Sequence, residues 1–216
     1  MSVLQVVTAF TGEGPGDLAV LPPLLERLVN ELIHCRARDV DVFPTIVVRR
    51  PPGSTFTQWM QHLQRRCPDV HLRTVHQDAD RNSVEGIRTG RWCPWLTQVE
   101  DPTRWVLVVP VPTTESWLIA DHETLAELLR IDHSTVLNLI GRSSDIDGVG
   151  QPKQVLDQIL SAAREQGQQI RYSTLGEQLA GRVDTERMKS RSASFAAAAS
   201  GLSDALDAVT HSHRHS

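Results

Sequence analysis

The chain has 216 residues, 40% of them hydrophobic, and a net charge of −4. That length fits one domain, or one domain with an appendage, and the charge excludes a globally basic nucleic-acid coat while leaving room for a local basic groove. No apolar run approaches the ~20 residues of a membrane span, and no basic stretch precedes an apolar one at the N-terminus. Three scattered cysteines (Cys35, Cys67, Cys93) give no disulfide framework or zinc motif, so a reduced, cytoplasmic protein without membrane attachment is expected.

Residues 4–10 form a short, β-rich apolar run, read as a buried strand. Thr11-Gly12-Glu13-Gly14-Pro15-Gly16-Asp17 follows, a tight turn by its glycines, with Asp17 placed to cap the next helix. Residues 18–35 carry apolar side chains at 18, 21, 24, 25, 28, 29, 32 and 33, a helical stripe. Pro22 and Pro23 are expected in its first turns or at a kink. The turn lacks the G-K-[ST] ending of a P-loop and the spacing of a dinucleotide fingerprint. It offers instead one acid, Glu13, between glycines that let a ligand approach closely; an exposed turn glutamate is the plain alternative.

Residues 42–49 read as a second strand with Pro44 near its start, 56–66 as an amphipathic helix, and 70–75 as a third strand. That strand delivers His76-Gln77-Asp78-Ala79-Asp80. In an extended chain Asp78 and Asp80 point to the same side, and two like charges held together suit a divalent cation such as Mg²⁺; a polar turn would also use them. His62 is read as a surface side chain. His76 is read as structural, since an oxygen-rich site does not call for imidazole.

Residues 81–98 interleave Arg81, Arg88 and Arg91 with Trp92 and Trp95 and are broken by Gly86, Gly90 and Pro94. The pattern suits nucleic-acid contact and equally a packed, irregular crossover. Residues 104–111 are a fourth strand, the continuous apolar run of a central parallel strand. Glu115 then falls in the first turn of a helix, where the macrodipole favours an acid. Beyond residue 122 the strands stop, and 123–129, 134–140, 153–165, 174–180 and 192–209 read as helices. Asp145-Ile146-Asp147-Gly148 has only part of a calcium loop and is not read as one. Lys153 stands at a helix start against the macrodipole, as a solvated lysine or as a phosphate contact. Residues 182–191 are locally basic, and Lys189 and Arg191 join Arg81, Arg88 and Arg91 as expected nucleic-acid contacts. The expected architecture is an α/β core at 1–121 with an open, mainly parallel four-stranded sheet flanked by helices. A helical C-terminal part at 122–210 packs on it, and a disordered His-rich tail occupies 211–216.

Glu13, Asp78/Asp80 and Glu115 each follow an expected core strand at its C-terminal end, the edge where open α/β sheets bind ligands. A glutamate in a Gly-rich turn after the first strand, with an Asp-x-Asp after a later one, resembles the TOPRIM domain of topoisomerases, bacterial primases, small ribonucleases and OLD-type nucleases. The fuller pattern adds Asp17, Glu115-Ser116-Trp117-Leu118-Ile119-Ala120-Asp121, Pro152-Lys153 and Ser192-x-Ser194-Phe195. Over about residues 1–200 it is similar to small, stand-alone bacterial TOPRIM-like proteins thought of as nuclease-like partners of ATPases in phage defence.

The resemblance implies Mg²⁺ or Mn²⁺ at a two-metal site. Glu13, Asp78, Asp80 and Glu115 would be its ligands, Glu13 also the general base, and Lys153 would steady the scissile phosphate. Two cations ~4 Å apart activate water and stabilise the leaving oxygen. The implied activity is phosphodiester cleavage of nucleic acid, DNA before RNA, with an ATPase partner and homo-oligomerisation as further expectations. A non-catalytic subunit that binds metal or nucleotide and docks a partner is the alternative, and a phosphotransferase or phosphatase a third. The chain has no ATPase motif and no evident DNA-binding module, so such a nuclease needs help in choosing its target.

Overall fold

The expected first strand divides in two. β1 (Leu4–Val6) and β2 (Thr8–Thr11) part at Val7. The Val7 N–H donates to the His71 ring at 3.2 Å, and its carbonyl accepts from the His71 and Leu72 amides. The computed structural model describes residues 4–35, 40–80, 82–141, 145–170 and 172–214. α1 (Pro15–His34) begins earlier than its apolar stripe: Gly14 is the N-cap, Asp17 lies in the first turn, and Pro22 and Pro23 sit inside a continuous helix. The second strand is also divided, into β3 (Val40–Val42) and β4 (Ile46–Val47), because Pro44 between them has no N–H for a ladder.

α2 (Phe56–Arg66) leads to β5 (Leu72–His76). A helical crossover follows: α3 (Val84–Ile87), one π-helical turn (Arg88–Trp92) and α4 (Cys93–Leu96). It leads to β6 (Trp105–Val108). All pairings are parallel, β1 with β3 and, in a four-stranded sheet, β4-β2-β5-β6. The register runs from Thr8↔Leu72 to Thr11↔Val75 and from Arg73↔Trp105 to His76↔Val108. The fold is α/β, with helices on both faces of this sheet.

Side chains alternate across the sheet. Phe10, Leu72, Val106 and Val108 face α1 and the C-terminal helices, whereas Ala9, Val75 and Trp105 face α2 and the crossover. Trp92 and Trp95 are buried there with Trp105, the Trp95 and Trp105 rings 4.4 Å apart. The 81–98 stretch is therefore a packed crossover whose tryptophans belong to the core. Arg73 is buried on the same face and donates to the Cys67 and Pro68 carbonyls just past α2, where a cation meets the negative end of the helix.

The remainder is helical: α5 (Thr114–Ala120), α6 (His122–Leu129), α7 (His133–Ile140), α8 (Pro152–Glu165), α9 (Tyr172–Ala180), α10 (Thr185–Arg191) and α11 (Ala193–Arg214). The helix α11 continues through 211–214, where a frayed tail was expected; 215–216 lie outside the described residues. Phe195, Leu202 and Leu206 of α11 share one cluster with Phe10, Leu28 and Trp117, so the helical part and the sheet have a common core. No described helix is long and apolar enough to cross a membrane. The three cysteines are free.

Acids fasten these helices. Asp147 accepts from the Ser192 and Ser194 hydroxyls and the Ser194 amide, which caps α11. Asp121, fully buried, accepts from Thr124, the Asp184 amide and Arg187. Glu123 takes both Nη atoms of Arg191, and that guanidinium holds the Glu123 carboxyl down at about pKa 2 against a partial burial that would raise it.

α1 and α9 pack most closely at Gly176, where a Cβ would stand 2.5 Å from Val20 Cγ2 and 3.1 Å from the Val20 backbone. Gly176→Ala is expected to destabilise the protein by about 1–3 kcal/mol in chemical denaturation, and Val20→Ala in the same chain to recover part of the loss; an unchanged midpoint for the single variant would refute this packing. The Glu123 pKa lies below its unfolded value of 4.5, so its contribution is complete above pH 4.5 and disappears as pH falls toward 2. Glu123→Gln should flatten the acid limb of stability against pH in that window by on the order of 3 kcal/mol, read as the difference between wild-type and variant denaturation curves.

Candidate functional site

The strand order makes the chain leave β2 toward one neighbour and return on the other side. The helices after β2 and β5 cover opposite faces of the sheet, and a crevice opens between these strands at their C-terminal ends. Ligands bind there in open α/β folds. Three segments meet at it. The first is the turn after β2. A side chain at Gly12 would be crowded, its Cβ 3.2 Å from the Phe10 ring and 3.3 Å from His76 Nδ1. Asp17, one turn into α1, accepts the Gly14 amide at 2.9 Å and lies at the positive end of that helix.

The second segment follows β5. It stays extended beside the chain leaving β6, through Gln77 N–H to the Val108 carbonyl and Ala79 N–H to the Pro110 carbonyl. Asp78 turns to the His76 face of the sheet and Gln77 to the opposite face. Asp80 departs from the expected pairing: its φ of 51° is left-handed, so its carboxylate does not follow Asp78, and it lines a neighbouring cleft of about 780 Å³ with Lys153. The third segment is the start of α5, where the Thr114 amide donates to Asp78 at 2.9 Å.

His76 is fully buried at the centre, stacked on Phe10. Its Nε2 lies 3.0 Å from Asp78 Oδ1, and its Nδ1 faces Asp17 Oδ2 at 3.6 Å, too far for a hydrogen bond. Thr114 Oγ1 is within reach of Asp17 (3.0 Å), His76 Nε2 (3.2 Å) and Asp78 (3.2 Å) but has one proton to give. The buried Nδ1 has no hydrogen-bond partner and stands beside Asp17, a polar atom left for a further group to satisfy. Asp17, His76 and Asp78 place one ligand atom each within 4.8 Å of one another, a donor set that fits a divalent metal.

Glu13 stands beside this group, its side chain 32% exposed and 3.7 Å from Arg50. Burial pushes its carboxyl pKa up, and His76, the Asp78 amide and Arg50 offset only part of that. Glu115 is engaged elsewhere: it accepts from Thr113 at 2.7 Å and from the Tyr172 hydroxyl at 3.4 Å. Burial, then the Glu115 charge, keeps the Tyr172 proton in place. Neither Glu13, Asp80 nor Glu115 belongs to a three-residue metal-ligand group among the described residues.

Among the expected nucleic-acid contacts, Arg91 lines a cleft with Glu13 and Arg88 a smaller one near α11. Lys189 pairs with Glu186, and Arg191 is committed to Glu123 and the Ala120 carbonyl. Arg81 lies outside the described residues. A second group, His122, Glu123 and His133, also meets the metal-ligand spacing. Its rings are hydrogen-bonded at 2.7 Å and its carboxylate is bound by Arg191 with Arg187 nearby; two guanidiniums oppose a further cation there.

Sequence reasoning did not bring Asp17, His76 and Thr114 together with Asp78. The signals were present: Asp17 falls one turn into the helix that follows the Glu13 turn, and His76 is the last residue of the strand that carries Asp78. Comparison with family models, with curated proteins and with solved structures gives no match.

Mn²⁺ is expected to raise the melting temperature of the wild type, with a stabilisation of roughly 2–3 kcal/mol at about a hundredfold excess over its Kd, reversed by EDTA. Asp78→Asn and His76→Gln should abolish the response. A wild-type melting curve indifferent to Mn²⁺, Mg²⁺ and Zn²⁺ would dismiss the metal site.

Proposed function

We propose that the chain is a metal-dependent phosphodiesterase that cleaves nucleic acid, the activity its TOPRIM resemblance implies. The observation that carries the proposal is the convergence of Asp17, His76 and Asp78 within 4.8 Å at the crevice between β2 and β5, with Glu13 beside them. A divalent cation bound there supplies positive charge against a phosphodiester and acidity to a coordinated water. Asp17, His76 and Asp78 would hold it, and the imidazole nitrogen favours Mn²⁺ over Mg²⁺. Glu13 has the raised pKa of a proton acceptor poised nearer neutrality. Lys153 and Arg91, on either side of the crevice, suit contacts to the phosphate backbone. The two-metal form needs a further acid, for which exposed Asp80 in the Lys153 cleft is the candidate. An ATPase partner would answer the absence of a targeting module.

One observation favours the second reading, a non-catalytic subunit that binds metal or nucleotide and docks a partner: the cluster contains an imidazole where the resemblance puts Asp80.

The purified chain with Mn²⁺ should nick supercoiled plasmid DNA. Asp78→Asn should lower the rate by about a hundredfold or more, and Glu13→Gln should lower kcat with little change in KM. Mn²⁺ binding without cleavage of DNA or RNA would decide for the non-catalytic reading.

A further inference from the structure

We propose that the cleft on the α2 side of this edge is a nucleotide subsite that takes one unpaired base with its phosphate. The proposal rests on the phosphodiesterase reading and names its substrate class, single-stranded or locally opened nucleic acid. The cleft has a volume of about 490 Å³ and lies between the end of β2, the start of α2 and the crossover; Glu13, Arg50, Phe56, Gln77, Arg91 and Gln98 line it.

Two observations at this cleft point to a ligand independently of each other. The first is Gln77. Strand alternation sends it to the face opposite His76 and Asp78, so it lines this cleft instead of the metal cluster. The residue is 7% exposed, and its side-chain oxygen is buried without a hydrogen-bond partner. A buried carbonyl left unpaired is costly and calls for a donor.

The second is the cleft's cations. Arg50 lies over the Trp59 ring at 4.6 Å, donates to the Ser54 carbonyl at 3.0 Å and faces Glu13, so it is already committed. Arg91 stands exposed on the opposite wall with no hydrogen bond or ion pair among the described residues. A free guanidinium suits a phosphate.

A nucleotide answers both. The edge of a base carries an amino or ring N–H for Gln77. Its flat face suits half-buried Phe56 and the guanidinium planes, and its phosphate suits Arg91. Inorganic phosphate would leave the Gln77 oxygen unpaired. A base within a duplex has its Watson–Crick donors already taken, so an unpaired base fits best. The cleft ends at Glu13, which places such a nucleotide next to the metal cluster.

Trp59 and Trp95 also line the cleft, so intrinsic fluorescence reads its occupancy. The full chain in EDTA should show saturable quenching, corrected for absorbance, with deoxynucleoside 5′-monophosphates and a short single-stranded oligonucleotide, and none with inorganic phosphate. Arg91→Ala, a surface change, should weaken nucleotide affinity about tenfold, and Gln77→Leu should weaken it while keeping the apolar stem in place. No saturable quenching, equal quenching by inorganic phosphate, or wild-type affinity in Arg91→Ala would overturn the subsite. Chelation separates this proposal from the one it rests on. Nucleotide binding in EDTA with no cleavage in Mn²⁺ leaves the subsite standing and removes the nuclease; cleavage without nucleotide binding does the reverse.

Discussion

A parallel sheet covered on both faces constrains everything else in this molecule. Parallel strands need crossover connections, so each strand of the β4-β2-β5-β6 sheet ends at the same edge. The chain reverses its direction of travel between β2 and β5, and their following helices separate to opposite faces. The edge thereby gains a gap that no crossover fills. Side chains from β2's turn, from the extension of β5 and from the segment after β6 converge on it because the backbone has nowhere else to take them.

Closing that gap requires polar groups in the interior, and their satisfaction binds the two halves of the chain. His76 bonds Asp78 and faces Asp17; Thr114, at the head of α5, reaches all three. From α5 the linkage continues outward. Trp117 donates to Ser194, which donates to Asp147, and Glu115 meets Tyr172 at the start of α9. The C-terminal helices are thus the support of the site as well as its neighbours, and a lesion in α11 can reach the acids through Trp117 and Thr114 of α5.

The fold was legible because its signals are local. The apolar runs at 70–75 and 104–111, the stripe at 18–35 and the absence of strands after 122 follow from periodicity. Divided strands were not legible at Val7, since the break depends on the His71 ring arriving from β5. Pro44 marks the other break, although 42–49 was read as one strand. The site was legible in part. Glu13 and Asp78 lie after the strands that periodicity identified, but Asp80 depends on a left-handed φ that its sequence does not display. Asp17 and Thr114 enter through tertiary approach alone, and each has an ordinary local reading, at a helix start, that conceals its other contact. Arg191 and Lys189 read as a basic patch because ion pairing to Glu123 and Glu186 is invisible in a linear count of charges.

The short β4 strand has a consequence for solubility. Ile46 and Val47 are 43% and 44% exposed at the sheet's outer edge, and Phe43 nearby is 41% exposed. Apolar side chains on an edge strand are a template on which a second chain can add. Here the template is only two residues long, and Pro44 just before it has no N–H to offer an incoming backbone. An added strand would find too few hydrogen bonds to hold it in register, so the protein can keep these side chains in water without seeding a fibre.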